Sequence, residues 1–429
     1  MFIPNEQGCS LALKTFINLR CVNIYVLLKE TLEKIVLEQH NNIQKYDKGI
    51  SREKLKEIDL DVKFAIVIMG IRRCGKSTLL NQLMKKKFYY LNFEDPRLVN
   101  FKTSDFEKLN DSFISSLGEG EYYFFDEIQN VKKWEIFVRW LLDQNKKVII
   151  TGSNASLLSK ELGTKLTGRH LDYELFPFSY NEYLKYTKQE KSMISYNVYL
   201  NKGGLPEYLN TNNEESFQTL LNDILMRDVA LRHNIKNYKV LNEMIIYLLS
   251  NVSKEFTYNS LLKLFEVGSI NTVISFISHF EDSYLLFTVP RFDHSLKKMI
   301  RAPKKVYSID TGLCKNISLS SSEDVGRLFE NSIFLYLRRR YKEIYYHKKE
   351  KECDFIIREK NKITKAIQVC YNLNSENKDR EFNGLLEAMD EYNLKEGYLV
   401  TNESEDKIKI EDKLIHILPA WKVCSNENI

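Results

Sequence analysis

The 429-residue chain has no Cys-x-x-Cys pair and no His-Glu-x-x-His spacing. Its seven cysteines, Cys9, Cys21, Cys74, Cys314, Cys353, Cys370 and Cys424, are scattered and odd in number. That pattern argues against a disulfide framework or a zinc site and fits reduced thiols. No apolar run reaches the ~18 residues that a membrane-spanning helix needs, so no membrane contact is expected. The opening MFIPNEQGCSLALKTFINLR lacks a charged start ahead of an apolar core, so it does not read as a signal peptide. A cytoplasmic protein is expected. Neither sign of charge dominates: 63 Lys and Arg stand against 58 Asp and Glu, a net charge of +5. This permits nucleic-acid contact without requiring it. Glycine is sparse at 16 residues, so a loop that places two of them at fixed spacing stands out.

What is present is an ordinary globular balance, 43% hydrophobic and 28% charged, in a chain long enough for two or three domains. Residues 1–22 are poorly patterned. From Asn23, helical spacing puts Leu27, Leu28, Leu32, Ile35 and Val36 on one face. Residues 1–45 are therefore expected to be an extension and a helix. From 46 to 235 an α/β core with a helical lid is expected. VKFAIVIMG, KFYYLNFED, YYFFDEIQNV and KKVIITGSN read as buried strands between helices, the signature of a parallel sheet covered on both faces. KGGLPEYL (202–209) reads as a turn. Residues 236–315 show three helical patterns followed by a basic hairpin-like stretch, the winged-helix pattern. SLSSSED reads as a linker, and residues 325–429 as a separate small α/β domain.

The chemistry concentrates in IVIMGIRRCGKSTLLNQL. Gly70, Ile71, Arg72, Arg73, Cys74, Gly75, Lys76 and Ser77, followed by Thr78, satisfy the phosphate-loop pattern with a strand before and a helix after. Glycines let backbone N–H groups face phosphate oxygens, and the helix N-terminus adds its positive end. Lys76 is expected to reach the β- and γ-phosphates of ATP, and Ser77 to ligate Mg²⁺. About fifty residues on, an aromatic strand ends in Asp126-Glu127. Asp126 can hold the Mg²⁺ shell, and Glu127 can orient or deprotonate an attacking water, which favours hydrolysis over binding alone. Ser153 and Asn154 leave the strand KKVIITG and are candidates to touch the γ-phosphate or the water. An ordinary polar turn is the alternative.

Together GIRRCGKSTLL, FFDEIQNVKKWE, ITGSNASLLSKEL, LTGRHLDYELFPFSYNEYL, RDVALRHNI and YSIDTGL resemble the AAA+-like P-loop ATPase family with an AAA_14-type core and a C-terminal DUF4143-type domain. The resemblance runs over roughly residues 45–425. It implies ATP binding with hydrolysis, in proteins found in archaea and bacteria. It also places Arg169, after Gly168, where an arginine finger would stabilise transition-state charge, within the chain or on a neighbouring copy in a homo-oligomer. A structural ion pair is the alternative for Arg169.

Two downstream features bear on what ATP would drive. In residues 291–305, Arg291, Lys297, Lys298, Arg301, Lys304 and Lys305 face a single acid, Asp293. Such a wing can lie along a DNA backbone. A solvated or intramolecular basic face is the alternative. The preceding helix offers no Lys or Arg to read bases. In the last domain, ECDFIIREK and KAIQVCYNL, after a helix carrying Glu330, resemble a PD-(D/E)xK nuclease fold. Asp354 matches the first acid, but Gln368 and Cys370 stand where Glu and Lys belong. The expected reading is a degenerate domain used for binding. The function expected overall is a Mg²⁺-dependent ATPase whose nucleotide state controls its C-terminal domains, acting on DNA or a protein partner. A nucleotide-gated DNA-binding switch is the alternative, and a metal-dependent nuclease a third.

Overall fold

The apolar run Ala65–Met69 forms β1, buried along its whole length. In the computed structural model, residues 28–84, 87–153, 166, 168–318 and 325–425 are described. The first helix, α1 (Lys29–Lys45), buries Leu32, Ile35, Val36 and Ile43. Leu27 and the extension before it lie outside the described residues. Three more runs become β2 (Phe88–Asn92), β3 (Tyr122–Asp126) and β4 (Lys147–Gly152). A fifth strand, β5 (His170–Glu174), adds to the edge beside β1. The order is β2-β3-β4-β1-β5 and every pairing is parallel. Helices α2 (Lys76–Leu83), α3 (Phe106–Leu117) and α4 (Trp134–Asp143) connect these strands. α1 is part of this core: Gln39 bonds Asn92 N and O at the end of β2 and Asp95 beyond it.

Four short helices follow: α5 (Tyr180–Thr187), α6 (Met193–Lys202), α7 (Pro206–Thr211) and α8 (Glu215–Asp223). The expected turn at 202–209 is thus half helix. Pro206 opens α7, where its missing N–H costs nothing. α8 runs into a wide π turn over Ile224–Ala230.

The middle region contains α9 (Tyr238–Ser250), β6 (Glu255–Phe256), α10 (Tyr258–Leu264), α11 (Ile270–Asp282), β7 (Leu286–Pro290) and β8 (Lys304–Ser308). Its three strands are antiparallel in the order β6-β8-β7. The link from β7 to β8 is not a simple hairpin, because it holds a helix, α12 (Leu296–Arg301). α13 (Thr311–Ile317) ends the region, and the expected linker falls mostly outside the described residues.

The C-terminal region pairs α14 (Val325–Arg338) and α15 (Lys378–Glu391) with a six-stranded mixed sheet. Its strands are β9 (Ile344–Lys348), β10 (Glu352–Glu359), β11 (Lys362–Cys370), β12 (Glu396–Thr401), β13 (Asp406–Ile410) and β14 (Lys413–Pro419). The final hairpin, β13 and β14, is absent from the sequence reading. One apolar cluster runs from α1 through the parallel sheet and middle region into this sheet, and a second lies under α15. Among the described residues no helix is long and apolar enough to cross a membrane.

Candidate nucleotide site

The phosphate loop leaves the C-terminal end of β1, and its glycines are there for space and for backbone sign. A Cβ on Gly70 would lie 2.2 Å from Leu175 O. Gly75 has φ +96°, a conformation that L side chains rarely adopt. Lys76 then starts α2 with its side chain buried and folded back: Nζ donates to Gly70 O at 3.1 Å and Ile71 O at 3.2 Å, and pairs with Glu127 at 3.3 Å.

β3 delivers Asp126 and Glu127, with β4 between it and β1. The intervening strand supplies Thr151, whose Oγ1 donates to Asp126 Oδ1 and accepts the Glu127 N–H at 3.0 Å. Tyr90 on β2 donates to the other Asp126 oxygen at 3.3 Å, and Ser77 also bonds this carboxyl. Gln129 donates to Glu127 Oε2. Glu127 sits at φ +52°, a left-handed turn that swings its carboxylate out of line with β3. Burial and the Glu127 charge push the Asp126 carboxyl above its ordinary range. Burial, the largest single influence, pushes Glu127 up, but the Lys76 ammonium, the Gln129 hydrogen bond and the Arg72 charge together outweigh it and hold Glu127 low. The Lys76 ammonium is held above its usual value against burial by Glu127 first. The adjacent acids are thus driven apart, and only Glu127 is strongly held in the charged form.

The two arginines, which the phosphate-loop pattern does not need, reach the helices that follow. Arg72 donates to Asp228 at 2.6 Å and to Glu94 at 2.9 Å. Arg73 pairs with Glu207 at 2.7 Å and Asp223 at 3.0 Å. Arg52 braces the loop from behind. It donates to Cys74 O, Phe176 O and Glu182, at 2.8, 2.7 and 2.9 Å. Ile71 and Cys74 are buried, and burial pushes the Cys74 thiol up, so it is packing, not chemistry. A cleft of about 820 Å³ opens over Gly75–Thr78, bounded by Glu127, by Ile50 and Phe178, and by Pro206, Asp223 and Arg227 from the helical segment.

Ser153 follows β4 and is buried, and its Oγ lacks a partner among the described residues. Asn154 lies outside the described residues. Arg169 does not join the site. Its carbonyl accepts the Ala65 N–H at 3.0 Å, at the first residue of β1, while the phosphate loop follows Met69 at the last. Five strand residues at about 3.3 Å each put it some 16 Å from the loop. Action on the phosphates of its own chain is therefore excluded, and its guanidinium pairs with Asp143 at 2.6 Å. Arg52, Tyr90, Thr151 and Asp228 were missed by the sequence reading. Thr151 and Asp228 carried a signal, standing in ITGSN and RDVALRHNI; Arg52 and Tyr90 carried none.

The nuclease-like residues meet as a cluster, with one correction. Glu330, Asp354 and Gln368 are close, and Cys370 is a buried strand residue whose thiol burial pushes up to about 11. The cation beside the acids is Lys305, from the basic stretch expected to face DNA. Lys305 is 2% exposed, so it cannot serve a wing. Lys304 lies partly buried over the Tyr258 ring, and Lys297, Lys298 and Arg301 remain exposed on α12. Among the described residues no group of three or more His, Cys, Asp or Glu side chains is arranged to hold a metal ion.

A parallel sheet in this order, with a phosphate loop after its β1 and Asp-Glu at the end of β3, defines an AAA-type P-loop core. Family models agree: an AAA domain (AAA_14) matches residues 62–184, a domain of unknown function (DUF8612) 193–324, and another (DUF4143) 325–423. The chain belongs to the family that joins an AAA-like P-loop core to a C-terminal DUF4143 domain. An uncharacterized protein of Methanocaldococcus jannaschii is 36% identical over 432 residues, covering 92% of this chain and 95% of its own. One from Haemophilus influenzae is 29% identical, covering 84% of this chain and 94% of its own. The Saccharomyces cerevisiae Hsp104–ADP complex aligns over 59% of this chain and 42% of its own at 14% identity, with a TM-score of 0.31, too slight a likeness to carry an argument.

Proposed function

We propose that the chain binds ATP with Mg²⁺ on the Gly70–Thr78 loop, hydrolyses it, and passes the nucleotide state to its middle and C-terminal regions. The carrying observation is the meeting of Lys76, at the start of α2, with Glu127, just after β3, at 3.3 Å beside a cleft that opens over the phosphate loop. The backbone of Gly75 and the α2 N-terminus would hold phosphate oxygens, while Ser77 and Asp126 would hold the metal. Bound Mg²⁺·ATP supplies the phosphoryl group and the charge that polarises it. Glu127, kept ionised, orients and deprotonates the attacking water, and Thr151 and Gln129 position it. Ser153, with its spare hydroxyl, is suited to touch the γ-phosphate. Arg169 can act as a finger only on a neighbouring copy, which would make the active form a homo-oligomer. Arg72 and Arg73 supply the route out of the site, because they tie the loop to Glu207, Asp223 and Asp228. The binding half of this reading is tested by titrating a fluorescent ATP analogue with Mg²⁺ into the full chain. Lys76→Ala should abolish saturable binding, and unchanged affinity would refute it.

A second reading is a nucleotide-gated DNA-binding switch in which the middle region acts as a winged helix. Its support is the exposed Lys297, Lys298 and Arg301, three cations on one short helix between paired strands. Nuclease activity is the weakest reading, because the acids it needs are committed to Lys305.

A further inference from the structure

Lys305 belongs to β8 of the middle sheet, yet its side chain ends among acids of the C-terminal region. Nζ lies 2.9 Å from Asp354 Oδ1, 2.9 Å from Glu352 Oε1 and 3.2 Å from Glu330 Oε1. The aliphatic stem comes from a strand that pairs with β6 and β7, and the partners sit on α14 and β10. Several neighbouring polar atoms are also committed. Tyr307, two residues on along β8, donates to Glu330 at 2.6 Å. Asp354 Oδ2 accepts the Val369 N–H at 3.0 Å. Gln368 accepts the Asp354 N–H and donates to Glu381 at 2.6 Å. A metal ion would need two or three of these oxygens at once, and each already has a protein donor.

We infer that Lys305 is the resident cation of this acidic pocket, docking the middle sheet onto the C-terminal sheet and filling the place a divalent metal would need. Three observations carry the inference. The lysine is almost fully buried, and a buried ammonium is tolerated only where paired and hydrogen-bonded. Its partners come from two separate elements, so the contact joins regions rather than neighbours on one helix. The cluster has three carboxylates and a burial-raised Glu330, so removing the ammonium leaves buried negative charge uncompensated. The C-terminal region then moves with the middle sheet as one body, and the charge that the sequence lacks at Cys370 is supplied from another region without restoring a metal site.

The test uses the full chain, comparing wild type, Lys305→Met, Asp354→Asn and the double variant by thermal unfolding and hydrogen exchange. Lys305→Met should lower the transition by roughly 10 °C and raise exchange in both 304–308 and 352–359. Asp354→Asn placed on Lys305→Met should recover part of that loss, because it removes a stranded charge. Simple additivity of the two substitutions would overturn the inference. Should Lys305→Met fail to fold, nucleotide-free Mn²⁺ titration of wild type and Asp354→Asn, followed by electron paramagnetic resonance, decides alone. No Asp354-dependent site is expected, and an Mn²⁺ site present in wild type and lost in Asp354→Asn would refute the resident-cation role.

Discussion

Arg72 donates from Nε to Asp228 at 2.6 Å, joining the phosphate loop to the π turn across 156 residues of chain. Asp228 is buried at 1% exposure, and Arg232 approaches it at 3.7 Å from one helical turn on. The loop that would grip phosphate is thus held by the segment that leads to the downstream regions.

Breaking that tie should be costly. Asp228→Asn is expected to destabilise the fold by about 1–3 kcal/mol, since it leaves part of Arg72 without its charged partner. A double-mutant cycle with Arg72→Met, followed by urea unfolding, should return a coupling energy of similar size. A coupling near zero would mean that the pair is incidental.

Gly75 cannot be replaced cheaply. Its φ of +96° costs an L residue about 1–2 kcal/mol, and a Cβ would meet Arg52 Nη1 at 3.0 Å. Arg52 cannot swing away, because three hydrogen bonds hold it. Gly75→Ala should lower the unfolding midpoint and weaken nucleotide binding together, read by thermal melts with and without Mg²⁺·ATP.

Acid should loosen the join between the helical segment and the middle region. His279 stacks on His233 with ring centroids 3.7 Å apart, and burial, then the His233 charge, lower its value to about 4. The folded chain thus binds this proton less well than the unfolded chain, so the contribution is full above about 6.5 and is lost as pH falls towards 4. His279 is only partly buried, so the loss should be about 1 kcal/mol. Urea midpoints at pH 7 and pH 5 should differ less in His279→Gln than in wild type.

The parallel core and the Asp126–Glu127 pair were legible because both are local: apolar runs bounded by turns, and motifs within a few residues. β5 was not, because HLDYE lies at the sheet edge with no buried apolar run to mark it. Apart from Glu94, the partners of Arg72 and Arg73, namely Asp228, Glu207 and Asp223, lie more than 130 residues downstream, and no pattern announces which acid will meet them. Lys305 shows the limit best. In the sequence it is one of six cations in a basic stretch. Only the pairing of β8 with β6 and β7 turns it inward, onto acids 25 to 49 residues away. Arg169 fits a motif, and only strand direction shows which end of the sheet it occupies.

If the middle region meets DNA, α12 carries the contact, with three exposed cations in place of six. The salt dependence of binding should then have a slope near −3 in a log–log plot. Changing Lys297, Lys298 and Arg301 to Glu should abolish binding in a filter assay while leaving basal ATP turnover unchanged.

The central claim is that Glu127 serves the hydrolytic step and Lys76 serves binding. Steady-state ATP turnover and nucleotide affinity, measured side by side for wild type and Glu127→Gln, test it most directly. Turnover should fall by 10²-fold or more on the scale of a lost general base, while Mg²⁺·ATP stays bound. Equal turnover in the two proteins would contradict the account.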